Sequence, residues 1–453
     1  MLDRRTADAL LLPPRTRLLY IGPMKTGTTS VQLAAHRRRD VLLAHGVRYP
    51  GNALNHRRGL GALIGWSVNT WNRTPPLGPN RLDVDQSGIP PREEWEELKS
   101  EIDADTDRRI FITHEFVSQV DDTTAERILE EIGEPFHVCI SLRPPGRIVP
   151  SLWAQSVRDD AQTEPFETWL RRFFGADSAN PLPERYRRAY DHGQLINRWA
   201  RIAGPENVTV IVVDRSDPDL LAGAFEAMLG LPPETLNWQR SNDSLTATDA
   251  ELFRHVNAIL RDRKASWSTF HNLVWQGAIK LGPERRTVSP DEPRVVLPPW
   301  AAEIADRDAA GFVESIRASQ VRIVGDLDKL AAKSPSAPWH DIADIPVRIA
   351  AEAVAGAILA GQKARRDARK ELAAAEAQVK QLKTEVTELR KERDLRVKQA
   401  TAASPGAPGG RGATERVEQV AASFSTHEIA AGLKRRLIYR LRTRRSHPVD
   451  RAR

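Results

Sequence analysis

The fold class this sequence predicts is α/β, a mainly parallel central sheet with helices on both faces, and three observations predict it. Short strand-like runs rich in Ile, Val, Leu and Phe recur at 18–21, 109–113, 136–142 and 207–213, each closed by a turn or a charged residue. Stretches with helical spacing separate them, and strand–helix alternation of this kind buries a parallel sheet on both sides. With 453 residues, 40% hydrophobic content and eleven Trp, the chain can also build a large core.

The first run, Leu18 to Ile21, breaks into the turn Gly22-Pro23-Met24-Lys25-Thr26-Gly27, and a helix begins at Thr28. A helix start in this position binds phosphate or sulfate, because its unpaired N–H groups and the positive end of its dipole converge there. The nucleotide triphosphatase pattern G-x-x-x-x-G-K-[ST] joins a strand to a helix in the same way. Gly22 and Gly27 keep its spacing, but Thr28 stands where lysine is required, and the lysine is Lys25, inside the loop. The form Pro23-x-Lys25-Thr26-Gly27-Thr28-Thr29 resembles the 5′-phosphosulfate loop of sulfotransferases that use 3′-phosphoadenosine 5′-phosphosulfate (PAPS). The resemblance covers roughly residues 15–330. It implies a P-loop-like sulfotransferase fold, PAPS as co-substrate and no metal. It also implies a catalytic Lys25 beside the bridging oxygen, with Thr26, Gly27, Thr28 and Thr29 around the 5′ groups.

A helix over 31–43 follows, with Arg37, Arg38 and Arg39 as a solvated face, and residues 46–50 end it. Residues 51–91, rich in Asn, Gly, Pro and Trp, have weak periodicity; in the family, segments like this border the acceptor and part of the nucleotide pocket. After an acidic helix at 93–102, the second strand, 109–113, ends in His114-Glu115. The ends of parallel strands project into the crevice where doubly wound sheets bind ligands, so this pair is expected to meet the loop. An acceptor hydroxyl must lose its proton on attack, which calls for a positioned base. Glycan sulfotransferases of the family use glutamate after such a strand and small-molecule ones use histidine in Thr-His; Thr113-His114-Glu115 offers both. Glu115 is favoured over His114, since Phe116-Val117-Ser118 is closer to the bacterial pattern, and a regular strand would aim only one of the two into the crevice.

A helix at 123–132 precedes the third strand, 136–142, which runs into Arg143. In the family a strand ends in arginine, a serine follows eight residues later on the next helix, and together they hold the 3′-phosphate. Arg143 and Ser151 match that spacing, while Pro144 departs from the usual Asn or Asp. A forked guanidinium and a hydroxyl suit a dianionic phosphate.

Helices are expected at 166–174 and 184–202, the fourth strand at 207–213 and a helix at 220–229. The Asn242-x-Ser244 segment leads into a helix over 248–260 whose Arg254 and Asn257 resemble a segment of bacterial sulfotransferase-like proteins. A proline-rich stretch at 283–299 and a helix over 300–330 close a catalytic domain of residues 1–335. Residues 343–400 turn to Ala, Glu, Lys, Arg and Gln, with no proline between Pro346 and Pro405, and Leu372, Val379 and Val386, with Ala375, Leu382 and Leu389, mark a short coiled coil and a possible homodimer. Residues 401–412 form a flexible linker.

The net charge of +7 belongs to the end of the chain, because residues 431–453 hold nine Lys or Arg against Asp450. Leu433, Leu437, Ile438 and Leu441 lie at helical spacing within this tail, 413–453, which fits an anionic membrane surface. An acidic partner is an alternative, and nucleic acid a less favoured one. The single Cys139 excludes an internal disulfide framework and suggests a reducing compartment, and scattered histidines suggest no zinc site. The apolar residues of the first fourteen are too few for a signal-peptide core, and no run reaches membrane-spanning length. The expected location is the cytoplasm, with peripheral contact at the inner membrane face.

The functional expectation is a PAPS-dependent sulfotransferase acting on a hydroxyl or amine of a carbohydrate, glycolipid or small metabolite. Its rivals are a non-catalytic nucleotide-binding scaffold or membrane tether and, disfavoured by the displaced lysine, a P-loop kinase.

Overall fold

The computed structural model describes residues 4–66, 88–177, 180–214, 216–237, 245–281, 288–289, 292–342 and 344–402. Its strands are β1 (Arg17–Tyr20), β2 (Val47–Arg48), β3 (Arg109–Thr113), β4 (Phe136–Leu142), β5 (Val208–Val212) and β6 (Arg322–Val324). They form one parallel sheet in the order β2-β3-β1-β4-β5-β6. The expected α/β class is therefore the observed one. The sheet reverses its strand order around β1: β2 and β3 lie on one side, and the chain then crosses to β4 on the other. Ligands of doubly wound sheets bind outside the carboxyl ends of the strands at such a reversal.

The first half of the chain forms α1 (Arg4–Leu10), α2 (Thr28–Arg37), α3 (Arg39–Ala44), α4 (Arg57–Ile64), α5 (Glu93–Ala104), α6 (Asp122–Ile132), α7 (Pro145–Asp159) and α8 (Phe166–Phe173). It continues with α9 (Glu184–Tyr190), α10 (His192–Ala203), α11 (Leu220–Leu229), α12 (Ala247–Asp262), α13 (Trp267–Thr269), a π-helical stretch Phe270–Ile279, α14 (Pro299–Ala318) and α15 (Val347–Ala402).

Alternate strand residues feed opposite faces. Leu18, Tyr20, Phe111, Cys139 and Ile211 pack under α1, α2, α3 and α11, while Leu19, Ile112, Ile140 and Val210 pack under α4, α5, α6, α10 and α14. A third core joins α7, α8, α12, the π-helical stretch and the start of α14 around Trp153, Phe166 and Phe270.

Four expected elements differ. The helix expected to begin at Thr28 and continue over 31–43 is divided at Arg38, whose φ is −108°. The helix at 184–202 is divided at Asp191, whose carboxylate accepts from the Gln194 N–H and so caps α10. The helix at 300–330 stops at Ala318; Gln320 takes a φ of 59°, and the chain turns to add β6 at the sheet edge. Residues 46–50, read as a helix end, contain the opposite edge strand, β2.

The chain divides into two units, residues 1–361 and 362–453. The start of α15 belongs to the first: a Cβ on Gly277 would lie 2.8 Å from the Ala357 Cα, so only glycine admits this approach. Among the described residues no helix is long and apolar enough to cross a membrane. The Asn242-x-Ser244 segment, the linker beyond residue 402 and the basic tail lie outside the described residues, as does 67–87 of the irregular segment.

Candidate functional site

Lys25, His114, Glu115 and Arg143 follow the carboxyl ends of three adjacent strands, β3, β1 and β4. The loop after β1 runs 21–27. Lys25 sits in it with φ 73° and Gly27 with φ 97°, left-handed conformations that are uncommon for a lysine and easy for a glycine. Gly27 is the N-cap of α2 and offers no side-chain cap. The Ser30 and Val31 amides both bond to Gly27 O, so the Thr28 and Thr29 N–H groups precede the first intrahelical donors and lie at the helix mouth. Thr28 is buried and Thr29 exposed.

Thr26 has a different job. Its N–H and its hydroxyl both donate to Pro23 O, at 3.3 and 2.6 Å. Because the Thr26 proton is committed, the Ser141 hydroxyl donates to Thr26 Oγ1 at 2.7 Å, and the Tyr20 phenol donates to Ser141 Oγ at 2.7 Å. The result is a one-way buried chain, Tyr20 to Ser141 to Thr26 to Pro23 O, lying under the loop. Burial pushes the Tyr20 phenol far up, so it stays protonated as the first donor. Gly22 makes room for the chain: a Cβ there would lie 2.2 Å from Ser141 Oγ and 2.9 Å from Thr26 Oγ1. Tyr20 and Ser141 were not legible as site residues. The missing signal is register: Tyr20 pairs with Cys139, and two residues on, Ser141 comes level with Gly22.

Arg143, at the end of β4, donates from Nη1 to Lys25 O at 3.3 Å, which joins the two strand ends. Ser151 lies two turns into α7 and donates to Arg147 O at 3.1 Å. The next turn carries Gln155, whose Nε2 approaches Met24 Sδ at 3.7 Å, so α7 also leans on the loop. Arg254 and Asn257 act at the far end of α7. Asn257 donates to Val157 O and Gln162 O, and Arg254 to Thr163 O, satisfying carbonyls where that helix ends.

His114 and Glu115 follow β3. The strand does not stay regular: it ends at Thr113, and Glu115 opens a 3-10 turn, Glu115–Gln119. The strict alternation that would aim only one of the pair into the crevice therefore does not apply. His114 is fully buried, its Nδ1 stands 3.6 Å from Glu115 Oε2, and neither ring nitrogen has a hydrogen-bond partner among the described residues. Glu115 Oε2 accepts from Gln32 Nε2 at 3.0 Å, and Gln32 Oε1 accepts from Asn55 at 3.2 Å. Burial pushes the Glu115 carboxyl up, but His114 and Gln32 outweigh it and hold it down at about 2. Glu115 is thus a carboxylate at neutral pH. Gln32, one turn into α2, couples the helix that starts at the Lys25 loop to the carboxylate of the neighbouring strand end; a lone Gln on a helix face gives no sign of this in a sequence.

His56 shows where part of the irregular segment goes. Its Nδ1 accepts from the Thr113 N–H, so its Nε2 donates to Pro50 O, and the ring is neutral. Burial pushes it down to about 3. Residues 50–56 are thereby pinned to the end of β3. Among the described residues there is no group of three or more His, Cys, Asp or Glu arranged to hold a metal ion.

No family model matches the chain, and no curated protein matches it. Among solved structures it is similar to a sulfotransferase from Alicyclobacillus acidocaldarius, with 17% identity over 55% of this chain and 94% of that chain and a TM-score of 0.35.

Proposed function

We propose that the chain is a PAPS-dependent sulfotransferase that passes a sulfuryl group to a hydroxyl or amine of a carbohydrate, glycolipid or small metabolite. The observation that carries this reading is the meeting of three chemistries at adjacent strand ends: the Lys25 loop and helix start after β1, Arg143 after β4, and the His114–Glu115 pair after β3. A helix start whose N-cap is a glycine without a side-chain cap suits an anion there.

In this reading the Thr28 and Thr29 amides and hydroxyls bind the 5′ groups, with Gly27 allowing close approach. Thr26 holds the loop through Pro23 O. Arg143 and Ser151 bind the 3′-phosphate. The acceptor oxygen attacks sulfur, the new S–O bond forms, and the bond from sulfur to the bridging phosphate oxygen breaks. Lys25 sits beside that bridging oxygen and offsets the charge it gains on leaving. Glu115, already ionised, takes the acceptor proton, with His114 beside it as the other candidate. The leaving group is 3′-phosphoadenosine 5′-phosphate.

The test is transfer of label from sulfur-labelled PAPS to a cell extract. Labelled product that disappears with Lys25→Ala supports the reading. No transfer from PAPS, with phosphate transfer from ATP and magnesium in its place, would replace it with the kinase.

A further inference from the structure

Past Gly361 the long helix α15 runs to Ala402, about 60 Å at 1.5 Å per residue. Apolar residues on it fall on two seven-residue series, 372/379/386 and 382/389: Leu372 is 60% exposed, Val379 44% and Leu389 40%, with Leu382 and Val386 half-buried, while the exposed Leu395 lies off both. A single solvated helix gains nothing from such a stripe, whereas a partner helix would cover it. With Leu372, Val379 and Val386 as a positions and Ala375, Leu382 and Leu389 as d positions, the seam is bounded by Arg365 and Arg393, both at a. Basic residues at a positions disfavour longer or higher-order seams and help to set register.

Charge decides orientation. In a parallel pair each g residue faces the e residue five positions on: Glu385 meets Arg390, Gln378 meets Lys383, and Glu371 meets Glu376. In an antiparallel pair on the same seam, Arg369 meets Arg390 and Glu371 meets Glu392, both like-charged, against the opposite pair Glu376 with Lys383. The parallel arrangement has fewer like-charged couples.

We propose that residues 372–389 are the docking surface for a second copy of this chain, in a parallel, in-register, two-stranded coiled coil. The native Cys139 is buried and does not interfere with thiol chemistry at the surface. The test uses the full chain with Leu372→Cys or Leu389→Cys, at opposite ends of the seam, under mild oxidation, alongside sedimentation equilibrium of the unmodified chain. The expected result is a dimer in sedimentation, and a covalent dimer from each cysteine variant alone. Cross-linking only when the two variants are mixed would show an antiparallel pair and overturn the proposal. A monomer or a trimer in sedimentation would overturn it too. Val379→Glu with Leu382→Glu is expected to return the chain to monomer while the thermal transition of residues 1–361 stays in place; a dimer that survives both substitutions would put the contact elsewhere.

Discussion

Replacing Gly22 by alanine tests the hydroxyl chain under the loop that follows β1. The added Cβ would lie 2.2 Å from Ser141 Oγ, and Ser141 sits fully buried on β4. Either the Ser141 hydroxyl rotates away or the loop lifts, and in both cases the two 2.7 Å bonds that join Tyr20, Ser141 and Thr26 are lost. At about 1 to 1.5 kcal/mol for each buried bond, the expected destabilisation is about 2 to 3 kcal/mol in urea unfolding. The double variant Gly22→Ala with Ser141→Ala removes the atom that collides most closely. It is expected to be more stable than the sum of the two single losses by at least about 1 kcal/mol, since contacting residues couple by this much. Single effects that add to within about 0.5 kcal/mol would refute the steric argument.

The remaining predictions concern protons. Glu115→Gln is expected to abolish turnover with PAPS while leaving nucleotide affinity intact, and Gln32→Leu to lower kcat without moving the nucleotide Kd; full turnover in Glu115→Gln together with loss in His114→Ala would hand the base role to His114. His56, His137 and His192 are buried and pushed down, to about 3, 4 and 4. Each is neutral when folded and takes up a proton on unfolding below its ordinary value near 6.5, so stability is lost as pH falls from there toward those values. The cost is up to about 1.4 kcal/mol per histidine per pH unit. Thermal unfolding is expected to shift down between pH 7 and pH 5, and an unchanged Tm would contradict the burial of these rings.

The sheet interior was readable because β1, β3, β4 and β5 are apolar runs buried on both faces, and such runs announce themselves. The edge strands were not. Val47–Arg48 and Arg322–Val324 have two and three residues, pair on one side only, and carry too little pattern to outweigh the helical stretches beside them. In the site, Lys25, Arg143, His114 and Glu115 were visible because strand ends and a glycine-bounded turn locate them. Tyr20, Ser141 and Gln32 were invisible, because their roles come from strand register and from a helix facing its neighbour. Thr26 was visible in the right loop; its donors turn inward to Pro23 O, a choice set by the turn geometry rather than by residue type.

The reading of the site stands or falls on the nucleotide. Titration calorimetry with 3′-phosphoadenosine 5′-phosphate, on the unmodified chain and on Lys25→Ala and Arg143→Ala, addresses it most directly. Saturable one-to-one binding without magnesium, weakened at least tenfold in each variant, is the predicted result. No binding to the folded, unmodified chain, or binding that neither substitution changes, would contradict it.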